Sequence, residues 1–108
     1  MPRTYRVYVI KLRKSILRNR GFKRTNPRYR KGKPCVYVGS TAKTPEERFR
    51  VHMTDSRRGS YKVKKYGKAL FEWAYRDLPK YASREEAELS VAAYAEELRR
   101  RGWGVWQN

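Results

Sequence analysis

The chain has 108 residues and carries 28 Lys and Arg against 10 Asp and Glu, a formal net charge of +18. Such an excess repels itself in the folded state and attracts polyanions, so nucleic acid is the expected partner and an anionic membrane surface the weaker candidate. There is no long apolar span and no signal-peptide pattern, and one cysteine excludes an intrachain disulfide and a Cys-rich zinc site. The length suits one domain, residues 1–108, with a modest core. Met1-Pro2-Arg3-Thr4 runs straight into a strand-like segment, so a cytoplasmic location is expected. Residues 1–45 contain no acid, while Glu72, Asp77, Glu85, Glu86, Glu88, Glu96 and Glu97 fall in the second half. That asymmetry predicts a basic binding face and a more ordinary back.

Tyr5 to Leu12 alternates and is rich in β-formers, which predicts the first strand. An insert, residues 13–33, follows with ten basic residues and no acid. It predicts a helical turn near Ser15–Asn19 or otherwise a mobile arm, ended by Asn26-Pro27 and Gly32-Lys33-Pro34. It is either a solvated loop or a surface for phosphate contacts through Arg28, Arg30, Lys31 and Lys33. Cys35–Val38 predicts the second strand, with Cys35 buried and inert. Thr44 then caps a helix from Pro45 to about Thr54, with proline at the first helical position and Glu47 completing a capping box. Asp55–Gly59 is a loop, and its Arg57 and Arg58 are further candidates for nucleic-acid contact. Ser60 to Tyr66 predicts a short basic helix ended by Gly67.

Phe71, Trp73 and Tyr75 alternate with Glu72, Ala74 and Arg76, which favours a third strand; Ala69, Leu70, Trp73 and Ala74 also fit a helical face. Ser83 and Glu86 make a second capping box, opening a helix from Arg84 to about Arg101. Its acids lead and its arginines trail, as the helix dipole prefers. Ala87, Val91, Tyr94, Ala95 and Leu98 mark its buried stripe and Gly102 ends it. Trp103 to Trp106 returns as an edge strand or an ordered tail.

The chemistry concentrates between Cys35 and Met53. A tyrosine sits near a strand end, and Arg48 and His52 lie four residues apart on one face of the next helix. Such groups suit phosphoryl chemistry: fixed positive charge for the phosphate oxygens and an acceptor for the proton of the attacking water. Arginine fits the first role because its fork is planar and always charged. Each residue also has a plain reading, as a strand aromatic, a surface arginine or a structural histidine.

Val7-Tyr8 and Tyr37-Val38-Gly39, followed by Glu47-Arg48-Phe49 and His52, resemble the two signature strands and the helix of the GIY-YIG nuclease superfamily. With Lys33–Gly39, Thr44–Phe49 and the closing Gly104-Val105-Trp106-Gln107-Asn108, the chain is similar to a subgroup of small bacterial GIY-YIG-domain proteins. The resemblance implies an α+β fold, a three-stranded antiparallel sheet flanked by helices. It implies a metal-dependent endonuclease hydrolysing phosphodiester bonds, with DNA favoured over RNA and one divalent cation, Mg²⁺ or Mn²⁺. Tyr8 would help activate the water, Tyr37 would line the same centre, Arg48 would hold the scissile phosphate, and His52 would share in proton transfer or phosphate positioning.

Three departures stand against that pattern. Arg6 occupies the first-motif glycine position. The insert is long and very basic. The glutamate that would bind the metal aligns with Val91, while Glu88 lies one turn nearer the helix N-terminus on roughly the same face. Glu88 is therefore either the metal ligand or a dipole-stabilising surface residue like Glu85 and Glu86. The alternative to the enzyme is a catalytically decayed GIY-YIG fold acting as a basic nucleic-acid-binding module. A third reading is an RNA- or ribosome-associated protein that stacks bases on Tyr29 and Tyr61.

Overall fold

In the computed structural model, residues 3–55 and 59–107 are described. Arg57, Arg58 and Asn108 lie outside the described residues. Strand β1, Tyr5–Leu12, is the centre of the sheet. It pairs antiparallel with β2, Cys35–Thr41, and on its other edge with β3, Gly67–Leu70, and the two-residue β4, Lys80–Tyr81. β5, Gly104–Gln107, joins the outer edge of β2 in parallel. The expected three-stranded antiparallel sheet is thus the β3–β1–β2 part of a mixed five-stranded sheet.

The helices form where local caps start them. Thr44 accepts from the Glu47 N–H and opens α2, Pro45–Thr54. Ser60 caps α3, Tyr61–Tyr66, and Ser83 caps α4, Arg84–Arg100. Gly102, at φ +89°, reverses the chain after α4 and aims it back along β2. A residue with a Cβ would be strained there. Ala87, Val91, Ala95 and Leu98 are the buried stripe of α4, packed on β1, β2 and β5; Tyr94 is half-buried.

The insert is more ordered than a mobile arm. A 3₁₀ turn over Lys14–Arg18 is followed by a helix, α1, Arg20–Thr25, with the Asn19 side chain accepting from the Phe22 N–H. Ile16 and Phe22 are fully buried, and each such side chain contributes about 1.5–3 kcal/mol. Asn26 completes the anchorage. Its side chain donates to the carbonyls of Phe22 and Val105 and accepts from the Val105 N–H and Arg99 Nε. Gly104 leaves room for the Phe22 ring, which a Cβ would meet at 2.8 Å. The basic insert therefore has an apolar root that composition alone obscures.

The third strand lies earlier than the Phe71–Tyr75 alternation predicted. β3 ends at Leu70, and Glu72–Ala74 is a 3₁₀ turn. The Phe71 ring stacks on Trp103 beyond α4, and Ala74 and Tyr75 turn inward, so tertiary packing overrides the local period. β2 runs three residues past Val38 because β1 continues to pair with it through Gly39, Ser40 and Thr41.

Candidate active site and nucleic-acid interface

The register sets the site. Tyr8 stands opposite Gly39 across β1 and β2, so its ring lies over a residue without a side chain. A Cβ on Gly39 would come within 2.6 Å of the Tyr8 Oη. Tyr37 is opposite Ile10 on the same face, and α2 lays His52 against both tyrosines. Tyr8, Tyr37 and His52 are all essentially sealed from solvent, at 1, 2 and 0% exposure.

The hydrogen bonds give this cluster a polarity. The Ser60 backbone N–H donates to His52 Nδ1 at 2.8 Å, so Nδ1 carries no proton. Burial first, and the Arg48 charge second, press the His52 pKa down to about 4, so the ring is neutral near pH 7. Its one N–H is then on Nε2 and donates to the Tyr8 Oη at 2.7 Å. Burial drives the Tyr8 pKa far upward; Tyr37 adds to this and Arg48 opposes it. Tyr37 is also raised by burial and lowered by Arg48. The Tyr8 and Tyr37 rings lie 6.3 Å apart between centroids.

Arg48, half-buried on α2, links this cluster to the surface. Its charge reaches Tyr8, Tyr37 and His52, and its side chain also lines a cleft of about 310 Å³ with Arg3, Ser40, Lys43, Arg84 and Glu88. Glu88 is the one carboxylate among the described residues lining that cleft. It shares a second cavity with Ser40, Arg84 and Val91, so both candidate positions for the metal-binding glutamate face the same space. Successive strand residues alternate in direction. Tyr8 and Gly39 therefore face α2, while Val7 and Ser40 face α4. The tyrosines and Glu88 belong to opposite faces of the sheet, and Arg48 at the rim touches both environments.

A hard divalent cation takes oxygen donors, commonly one or two carboxylates completed by water and substrate phosphate. Glu88 has a half-exposed carboxylate whose Oε1 meets Arg84 Nε at 3.1 Å. An exposed i,i+4 pair is worth about 0.3–0.5 kcal/mol and is readily displaced by a cation. Ser40 lines the same cavity, so one carboxylate and one hydroxyl-bearing residue are available there for a cation whose remaining ligands would be water and phosphate oxygens. Among the described residues no three His, Cys, Asp or Glu side chains gather into a self-sufficient metal site.

The other sequence candidates separate. Arg6 is exposed and lines a different cavity, of about 270 Å³, with Glu46, Glu72 and Tyr75. Arg28, Arg30, Lys31 and Lys33 are exposed in the segment that leads into β2, whereas Arg48 lies on α2, which follows the strand's other end. Arg28 is not a simple phosphate contact: it meets Glu96 at 2.7 Å and holds the insert against α4. Tyr29 is half-buried, with its hydroxyl donating to the Lys33 carbonyl, whereas Tyr61 is 67% exposed. Sequence reasoning missed Ser60, Arg3 and Lys43. Ser60 was visible only as the first residue of a short basic helix, and the two cations join the cleft through strand pairing.

Paired tyrosines on adjacent antiparallel strands, backed by an arginine and a histidine from the following helix, define an α+β protein of the GIY-YIG kind. The family model of the GIY-YIG catalytic domain matches residues 28–92, more than half of the chain, and the chain belongs to that family, a nuclease superfamily. The match includes Tyr37, Arg48, His52, Glu88 and Val91 but not β1, so Tyr8 owes its place here to geometry. No curated protein and no solved structure gives a significant match. No helix among the described residues is long and apolar enough to cross a membrane.

Proposed function

We propose that this protein is an endonuclease that hydrolyses phosphodiester bonds of nucleic acid, DNA in preference to RNA. The observation that carries the reading is the position of Arg48, between the buried Tyr8–Tyr37–His52 cluster and a cationic cleft containing one carboxylate. Arg48 would hold the scissile phosphate and the charge that develops on it, with Arg3 and Lys43 guiding the backbone in. Glu88 and Ser40 would hold a divalent cation, Mg²⁺ or Mn²⁺, which would supply Lewis-acid stabilisation and lower the pKa of water. Tyr8 and Tyr37, sealed behind Arg48, would hold its guanidinium in place, and the proton of the attacking water would pass to solvent in the open cleft.

His52 is a positioning residue in this scheme. Its Nδ1 is occupied by Ser60 and its Nε2 proton is committed to Tyr8, so it fixes the tyrosine rather than accepting a proton. That revises the proton-transfer role the resemblance suggests for it.

A second reading, a binding module with a decayed centre, is favoured by the burial of Tyr8 and by the apolar Val91 beside the paired Glu88. Nicking of supercoiled plasmid with Mg²⁺ or Mn²⁺ separates the two. The enzyme reading expects metal-dependent nicking, abolished by both Arg48→Ala and Glu88→Ala, with binding weakened only slightly. Tight, salt-sensitive binding with no nicking by the wild type would establish the module instead.

A further inference from the structure

Trp73 is 65% exposed, an unusual position for so large an apolar ring. It differs from the other exposed apolar residues, Tyr61 and Leu89, in what backs it. The Trp73 ring stacks on Phe71 at 5.4 Å between centroids and 25° between planes, and on Trp103 at 6.5 Å and 10°. Phe71 and Trp103 stack in turn at 5.9 Å and 15°. Three near-parallel, offset rings form a rigid aromatic floor. Trp103 is buried and Phe71 half-buried, so the floor is anchored in the core and opens to solvent at Trp73.

One cation reaches this floor. Lys11 Nζ lies 5.5 Å from the Phe71 ring centroid. Lys11 pairs with Ala69 of β3, and both are exposed, so this corner of the sheet is left open beyond α4. Arg76 on the following turn pairs with Asp77 at 3.8 Å and Glu72 is exposed beside Trp73, so Lys11 is the cation that belongs to the floor. A flat aromatic surface with an ammonium group beside it matches the chemistry of a planar heterocycle attached to a phosphate. In a duplex the base faces are stacked on each other, whereas an unpaired nucleotide offers its face.

We propose that the Phe71–Trp73–Trp103 floor stacks an unpaired base of single-stranded nucleic acid, with Lys11 taking the adjoining phosphate. This second contact, distinct from the Arg48 cleft, gives the protein a preference for substrates with unpaired segments. It rests on the reading that nucleic acid is the partner.

The test is fluorescence anisotropy with labelled 15-mer oligo-dT, oligo-rU and duplex DNA, without divalent metal, on wild type, Trp73→Ala, Trp73→Phe and Lys11→Ala. Trp73→Ala is expected to weaken both single strands by about 5- to 150-fold, the range for losing one base–aromatic stack, and to leave the duplex unchanged. Trp73→Phe should retain most of the affinity, because its ring still stacks. Lys11→Ala should flatten the salt dependence on single strands by about 0.7 in log–log slope. The dT and rU arms report whether the floor takes DNA, RNA or both. Equal losses on single strand and duplex, or no loss on either, would overturn the stacking site while leaving the Arg48 cleft standing. Failure of the wild type to bind any of the three would overturn both. A wild-type dimer that Trp73→Ala converts to monomer, read by sedimentation, would assign the floor to self-association and likewise overturn the proposal.

Discussion

His52 is the only histidine in the chain, so its protonation can be measured without ambiguity. Its ring is wholly buried, it accepts from Ser60 and donates to Tyr8, and its pKa is held down at about 4 against an ordinary 6.5. Above pH 6.5 both folded and unfolded chains carry it neutral. Between 6.5 and 4 the unfolded chain takes up a proton that the folded one refuses, so stability falls as the pH falls. The slope is about 1.4 kcal/mol per pH unit, and the full loss is about 3 kcal/mol. His52→Gln removes this titration and nothing else in the window. Glu96, held low by its bond to Arg28, titrates below its ordinary 4.5 and does so in both proteins. Urea unfolding of wild type and variant from pH 7.5 to 4.5 should show a stability difference that shrinks steadily toward acid. Two-dimensional NMR of the imidazole should find the Nε2–H form and a midpoint near 4. A midpoint near 6.5, an Nδ1–H form or a pH-independent difference would refute the buried-neutral account, and with it the role of His52 as holder of Tyr8.

Further outcomes follow from the same geometry. Gly39→Ala should cost about 1–3 kcal/mol in urea unfolding, because its Cβ would sit 2.6 Å from the Tyr8 Oη and drive the ring off the sheet; wild-type stability would show that β2 yields instead. Asn26→Ala leaves two carbonyls and the Val105 N–H without their side-chain partner, so thermal unfolding should report a loss of at least about 2 kcal/mol, and a smaller loss would mean that the insert is not anchored there. On duplex DNA, Lys31→Ala and Lys33→Ala should each flatten the log–log salt slope by about 0.9 if they contact phosphate. Arg28→Ala should change it less, since Glu96 already neutralises that arginine; an equal change would show that the pair opens on binding.

Much of the framework is written locally. The Thr44–Glu47 and Ser83–Glu86 boxes act within four residues, so the starts of α2 and α4 are legible where they stand, as is the stop at Gly102. Arg48 and His52 are legible as a pair from their i,i+4 spacing and Tyr37 from its place near a strand end, whereas Tyr8 is singled out by the resemblance to the GIY-YIG signature strands. The insert was harder to read. Ile16 and Phe22 are two apolar residues in a basic run, and the burial of Phe22 depends on space left by Gly104 of β5, from the far end of the chain. The Phe71–Tyr75 segment shows the reverse, a strand-like alternation overruled by stacking on Trp103.

What the sequence determined by itself was therefore the charge, the boundaries of α2, α3 and α4 and the residue types available for phosphoryl chemistry, because these depend on composition and on interactions reaching about one helical turn. Only the tertiary structure decided that β5 runs parallel to β2, that Gly39 lies beneath Tyr8 and that Ser60 fixes the tautomer of His52. It also decided that Arg48 connects the tyrosine cluster to the cleft holding Glu88. Each of these joins residues distant along the chain, and strand register and core packing, which no local spacing encodes, bring them together.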